Sequence, residues 1–261
     1  MKVVIFAGGH GTRLSEETSN MPKPMVDIGG KPILWHIMKT YSSFGHNDFI
    51  ICCGYKGELI KDYFANYYLR YSDVCFDFCD EKNNYETLKA PKEKWRVTLV
   101  DTGLNTQTAG RLSRVKQYLD DEDFFLTYGD GVSDIDLDNL LSFHKDHGKI
   151  ATVSAMQPLG RFGALEINDG QVDQFVEKPI GERGWINGGF FVLSPDVFNH
   201  IPENADDVMW EQAPMKSLSG NGELMAYQHH GFWQPMDTLR ERNKLKEMVE
   251  SQTAPWIQWD D

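Results

Sequence analysis

The chain has 261 residues, 41% of them hydrophobic and 25% charged, which suits a globular protein with one large α/β domain or two small ones. A formal net charge of −13 excludes the basic surface that nucleic-acid binding needs, although a small cationic pocket can still hold a phosphate within an anionic protein. No apolar run approaches the ~20 residues that cross a bilayer, and the first residues lack the features of a signal peptide, so a cytoplasmic protein without membrane contact is expected.

In chain order, Val3–Ala7 reads as a buried strand. Pro32 suits the first turn of a helix whose apolar positions Ile33, Leu34, Ile37, Met38 and Tyr41 follow a 3.6-residue period. Phe49–Cys53 is a second strand, and Glu58–Leu69 a helix with Leu59, Ile60, Tyr63, Phe64 and Tyr67 on one side. Residues 71–96 are polar and irregular, an excursion off the sheet. Val97–Val100 and Phe124–Thr127 are further strands. A helix over "DIDLDNLLSFHKDHG", with Gly148 beyond its end, leads into a strand at Ile150–Ala155. This β-α-β-α order predicts an α/β fold with a mostly parallel, mixed and twisted sheet flanked by helices. After residue 158 the pattern changes: "ALEINDGQVDQFVE" alternates around Asn168-Asp169-Gly170, a hairpin signal. "INGGFFVLS" adds a strand, and "DTLRERNKLKEMVE" closes with a charged helix. With no repeat and no linker, residues 1–261 are expected to form a single domain.

The four cysteines, Cys52, Cys53, Cys75 and Cys79, contain no CxxC pair and are expected to be reduced thiols. Cys52 and Cys53, adjacent on a strand, must point to opposite faces.

The first strand runs into Gly8-Gly9-His10-Gly11. A tight turn with positive φ angles would account for the glycines alone. Two nucleotide motifs fail: a dinucleotide fingerprint needs a third glycine where Leu14 stands, and neither Gly-Lys pair is followed by Ser or Thr as a P-loop requires. What survives is a cradle of backbone amides with cations beside it. Arg13 offers a planar fork suited to phosphate, and Lys23, held between Pro22 and Pro24, offers a point charge.

"FAGGHGTRL…PKPM" resembles the signature of the sugar-1-phosphate nucleotidyltransferases, with Phe6 and His10 where aliphatic or small residues are more usual. The resemblance implies a Rossmann-like nucleotidyltransferase fold in which Ala7, Gly8, Gly9, His10, Gly11 and Thr12 wrap a nucleoside triphosphate and Arg13 and Lys23 are catalytic. It further implies a nucleotide-binding part (1–158), a sugar-binding part with the β-hairpin (159–240), and a C-terminal helix and tail (241–261).

Asp130, between two glycines at the end of a strand in "TYGDGV", lies where parallel sheets bind ligands, but the tripeptide reads equally as a turn. Asp237 in "FWQPMDT" precedes the closing helix, which it could simply cap. Two carboxylates could hold Mg²⁺, a hard cation that bridges phosphates, and the resemblance assigns Asp130 and Asp237 as its ligands. It also places Gly163, Glu177, Lys178, Asn187 and Gly188 at the sugar phosphate, and Gly110, Arg111, Tyr128 and Gly129 at the nucleotide. Asp134 is expected to brace a loop. Arg111 can donate to a pyrimidine carbonyl, which cytosine and uracil both possess, so the base stays open on physical grounds. The extended match through "KPILWHIMK", "FIICCGYKG", "VTLVDTG", "RFGAL", "INGGFFVL" and "GFWQPMDTLR" resembles the glucose-1-phosphate cytidylyltransferases of that family.

The implied reaction joins CTP and α-D-glucose 1-phosphate, giving CDP-glucose and pyrophosphate by in-line attack on the α-phosphorus. No general base is needed, since a phosphate monoester with a second pKa of about 6 is already ionised at neutral pH. The resemblance also implies a homo-oligomer and a place in dideoxysugar and cell-surface polysaccharide synthesis. The alternatives are the same reaction with UTP or dTTP, a noncatalytic sugar-nucleotide sensor, and a nicotinamide-dependent oxidoreductase.

Overall fold

Strict alternation along the first strand decides how the layers stack. In β1 (Lys2–Phe6), Val3 and Ile5 enter one hydrophobic core while Val4 and Phe6 enter the other, so β1 is buried on both faces. The computed structural model describes residues 1–79, 84–158, 164–168, 171–176 and 184–259. Its main sheet has seven strands, in the order β12 (Leu224–His229), β8 (Ala151–Met156), β11 (Ile186–Leu193), β6 (Phe124–Tyr128), β1, β2 (Asp48–Cys53) and β5 (Arg96–Asp101). β1 pairs in parallel with β2 and β6, β2 with β5, and β8 with β12. β11 alone runs against its neighbours, β6 and β8, which makes the sheet mixed as expected.

Helices cover both faces. Against the first core lie α2 (Ile33–Ser43), with all five predicted apolar positions buried, α6 (Leu137–His147) and α8 (Leu239–Glu250). Against the second lie α5 (Thr108–Val115) and α7 (Ala213–Gly220), through Leu112, Val115 and Leu218. Burying an aliphatic side chain contributes about 1.5–3 kcal/mol, so these two apolar interfaces hold the layers together. Cys53 faces the first core and Cys52 the second, as adjacent strand residues must. Local signals set the helix ends: Asp136 Oδ1 accepts from the Asn139 amide at 2.8 Å to start α6, and Gly148 closes it at φ +61°.

Two expectations are corrected. The helix read over Glu58–Leu69 is two helices, α3 (Gly57–Ala65) and α4 (Tyr67–Tyr71), divided at Asn66, whose backbone at φ −102° and ψ 13° departs from helical values. A single turn, α1 (Ser15–Thr18), precedes α2 in the chain. The stretch 71–96 is not wholly irregular: β3 (Asp73–Asp77) and β4 (Asn84–Lys89) pair as a separate antiparallel ribbon. Their described side chains are mostly exposed, so no apolar alternation announces the strands. The expected hairpin forms from β9 (Ala164–Asn168) and β10 (Gln171–Val176); its turn lies outside the described residues. A last small ribbon pairs β7 (Gly131–Ser133) with β13 (Trp233–Pro235). Among the described residues no helix is long and apolar enough to cross a membrane.

Candidate active site

The glycine loop leaves β1 at the carboxyl edge of the sheet, between the ends of β2 and β6. The Ala7 amide donates to the Cys52 carbonyl at 3.1 Å. Gly8 is buried, and its carbonyl accepts from the Tyr55 amide at 3.0 Å and from Arg111 Nη2 at 2.9 Å. A Cβ at Gly8 would stand 2.1 Å from Arg111 Nη1, so only glycine fits beneath that guanidinium. Gly11 adopts φ +63° and packs on Thr18 and Lys23. Gly9, His10 and Thr12 are exposed, with the His10 ring 4.9 Å from that of Tyr55. Arg13 lies in the 3-10 turn Thr12–Leu14; its side chain is outside the described residues, as are Gly163, Glu177 and Lys178.

Lys23 opens the turn Lys23–Met25 directly after Pro22 and is only 8% exposed. Its Nζ lies 2.6 Å from Asp130 Oδ2 and 2.6 Å from Asp237 Oδ1. The ribbon of β7 and β13 makes this convergence possible, because the Met236 amide donates to the Asp130 carbonyl at 2.8 Å and sets Asp237 beside it. Close packing at Gly129, where a Cβ would meet the Phe6 carbonyl at 2.8 Å, keeps Asp130 near the end of β1. Asp237 does not cap α8. Thr238 does so, in a capping box with Glu241, which leaves the Asp237 carboxylate to face the lysine. Burial alone would lower the Lys23 pKa, but Asp130 and then Asp237 outweigh it and hold the ammonium above its ordinary value.

Two carboxylates from separate elements thus converge on one point that already carries a cation. Among the described residues no group of three or more His, Cys, Asp or Glu gathers as a metal cage. Two carboxylates without a full cage match Mg²⁺, which keeps waters and takes its remaining oxygens from phosphates. The donor set therefore fits the ion.

Beside this point opens a cavity of about 170 Å³, lined among others by Tyr128, Asp130, Asn187, Gly188, Trp233 and Asp237. It brings together residues expected separately at nucleotide, metal and sugar. Trp233 Nε1 donates to the Gly188 carbonyl at 2.8 Å, fixing one wall. Asn187 Oδ1 accepts from the Gly189 amide at 2.8 Å. A larger cavity of about 380 Å³ opens at the opposite edge of the sheet, around Lys2, Asp48 and Arg96, and holds none of the expected residues.

Gly110 is buried in α5, its Cα facing the backbone of Ala205 and Asp206. Arg111 follows it and is 4% exposed. Arg111 Nη1 donates to the Cys53 carbonyl, Thr102 Oγ1 and the Gly103 carbonyl at 3.1, 2.7 and 2.9 Å, and Nη2 to the carbonyls of Gly8 and Leu104 at 2.9 and 3.3 Å. The guanidinium ties the glycine loop to the ends of β2 and β5, a role its sequence context did not suggest. Sequence reasoning also passed over Trp233 as a wall of the site, although the "GFWQPMDTLR" that contains it carries part of the resemblance. Asp134 braces as expected, its Oδ1 accepting from His229 Nε2 at 2.9 Å.

Residues 2–237 match the model of the family described as "Nucleotidyl transferase". A glucose-1-phosphate cytidylyltransferase of Salmonella typhimurium is 58% identical over 261 residues, covering all of both chains, and one of Salmonella typhi is equally similar. The crystal structure of HddC from Yersinia pseudotuberculosis, 24% identical, superposes with a TM-score of 0.68 over 94% of this chain and 98% of that one, which shows the shared fold. With the glycine loop, the lysine and the paired carboxylates converging at one sheet edge, the chain belongs to the nucleotidyl transferase family.

Proposed function

We propose that the protein transfers a cytidylyl group from CTP to α-D-glucose 1-phosphate, producing CDP-glucose and pyrophosphate. The observation that carries the chemistry is the Lys23 ammonium lodged between Asp130 and Asp237 beside the glycine loop. The choice of nucleotide and sugar rests on the full-length likeness to the two Salmonella enzymes. In this reading residues 1–158 bind the nucleotide and 159–240 the sugar phosphate, with 241–261 as helix and tail. The loop Ala7–Thr12 presents backbone amides to the triphosphate, while Gly110, Arg111, Tyr128 and Gly129 shape the nucleotide side. Gly163, Glu177, Lys178, Asn187 and Gly188 serve the sugar phosphate.

The main obstacle is repulsion between two polyanions. Arg13 and Lys23 offset it with fixed positive charge, and Lys178 does so on the sugar side. Asp130 and Asp237 would hold Mg²⁺, which supplies further positive charge to the phosphates. Holding both substrates in line contributes through proximity, which is worth several kcal/mol in well-oriented reactions. The glucose 1-phosphate oxygen bonds to the α-phosphorus as the bond to pyrophosphate breaks. No side chain need take a proton, because the attacking phosphate is already ionised. On family likeness alone the reading extends to a homo-oligomer in the cytoplasm.

Purified protein supplied with Mg²⁺, glucose 1-phosphate and CTP, UTP or dTTP in turn tests the proposal through pyrophosphate release and product identification. CDP-glucose with CTP as the preferred donor is expected. Preference for UTP or dTTP, or no release with any triphosphate, would overturn it.

A further inference from the structure

A line of polar groups joins the two sides of the site. Asn187 Nδ2 donates to the Tyr128 hydroxyl at 3.5 Å, and that hydroxyl donates to Glu211 Oε1. Glu211 Oε2 accepts from the Thr108 hydroxyl at 3.2 Å, and Thr108 Oγ1 accepts in turn from the Trp210 amide at 2.7 Å. The donors follow one direction on each side, so both hydroxyl protons end on Glu211. An ionised carboxylate suits this, having two oxygens that only accept.

The middle of this line is tightly held. Gly189 has φ +83°, and a Cβ there would lie 2.5 Å from Tyr128 Cδ2, so the ring rests on bare backbone. Phe6 and Phe191 flank the ring at 5.9 and 6.1 Å. Burial and then the Glu211 carboxylate hold the phenol protonated well above its ordinary range, keeping it a donor. Tyr128 and Asn187 both line the cavity beside Asp130, whereas Glu211 stands outside it and is exposed.

We propose that Glu211 is a positioning residue: through the Tyr128 hydroxyl it fixes the Tyr128 ring and the Asn187 amide on the wall that receives the phosphorylated hexose. This rests on the functional reading above. Without the carboxylate, the Tyr128 hydroxyl loses its acceptor and the Asn187 amide loses a fixed partner. The glycine loop and Lys23 make none of these hydrogen bonds, so the loss falls more on the sugar phosphate than on the triphosphate. Loss of one such hydrogen bond corresponds to about a three- to tenfold change.

Steady-state kinetics for both substrates on wild type, Glu211→Ala, Glu211→Gln, Tyr128→Phe and the Glu211→Ala/Tyr128→Phe double variant test it. Glu211→Ala and Tyr128→Phe should each raise KM for glucose 1-phosphate by about three- to tenfold and KM for CTP by less, since Tyr128 also borders the nucleotide side. The double variant should add nothing further, and Glu211→Gln, whose amide oxygen still accepts from Tyr128, should stay close to wild type. An unchanged sugar-phosphate KM in Glu211→Ala, equal rises in both KM values, or additive effects in the double variant would overturn the role. Calorimetric titration with CDP-glucose separates the two levels of inference. Wild-type protein that binds CDP-glucose without turnover overturns the reaction alone, whereas Glu211→Ala and Tyr128→Phe binding it as wild type does overturns Glu211.

Discussion

Replacing Lys23 with methionine preserves most of the unbranched stem and removes the charge. Asp130 and Asp237 would then face each other across the point the ammonium had filled, each previously 2.6 Å from it. Breaking a fully buried charge pair by deleting one partner costs about 3–5 kcal/mol. Here the carboxylate side chains are 34% and 27% exposed, so solvent screens their repulsion and about 1–2 kcal/mol of destabilisation is expected. A divalent cation fits the same point, and in wild-type protein it must compete with the tethered ammonium. Mg²⁺ should therefore stabilise Lys23→Met more than wild type. Chemical denaturation at neutral pH, with and without Mg²⁺, reads both effects as midpoints at constant slope. Turnover should fall at least about 10²-fold, as when one stabilising donor is removed. A variant as stable as wild type without metal, or one with the same Mg²⁺ response, would refute the shared-point reasoning. Near-normal turnover would refute the role of Lys23 in the reaction.

Asp130→Asn should shift the magnesium titration of activity to higher concentration, and an unchanged titration would remove Asp130 from the metal site. Arg111→Lys loses the planar fork that reaches five oxygens and should cost about 3 kcal/mol in denaturant unfolding; a loss within about 0.5 kcal/mol would contradict the role as a tie. The buried His36 imidazole lies at Nε2 3.0 Å from the Ile28 carbonyl, and burial lowers its pKa to about 4. The unfolded chain, with pKa near 6.5, binds a proton that the folded chain refuses, so stability is full above pH 6.5 and falls as pH drops towards 4, by at most about 3 kcal/mol. His36→Gln should show a shallower decline over that window, and identical slopes would refute the assignment. Cys52 and Cys53 are buried, with the Cys53 thiol pushed up to about 11, while Cys75 and Cys79 are exposed, so native protein should react at two thiols and denatured protein at four.

The inner strands of the sheet were legible because they are buried on both faces and read as apolar runs, from Val3–Phe6 to Phe124–Leu126. The two-faced burial left no such mark on β3 and β4, whose described side chains are mostly solvated, and the ribbon there escaped notice. The break at Asn66 escaped for a different reason. Tyr63, Phe64 and Tyr67 keep helical spacing across it, and the aromatic packing that uses them does not require one continuous helix.

At the site, sequence identified the parts better than their relations. Lys23, Asp130 and Asp237 each sit in a marked motif, yet their convergence depends on β7 and β13, strands of three residues too short for any periodicity to register. Arg111 illustrates the opposite difficulty. An arginine in a nucleotide-facing stretch suggests a ligand contact, but its five acceptors are mostly backbone carbonyls, which no sequence can display. Those carbonyls come from the ends of β2 and β5 and from the glycine loop, and the ones of Cys53 and Gly8 also accept the backbone amides of Thr102 and Tyr55. A buried guanidinium with its Nη donors so engaged is well placed to hold the loop still. In a site whose work is to oppose charge with charge, immobility of the amide cradle matters as much as another cation, because fixed dipoles act without reorganising during the transfer.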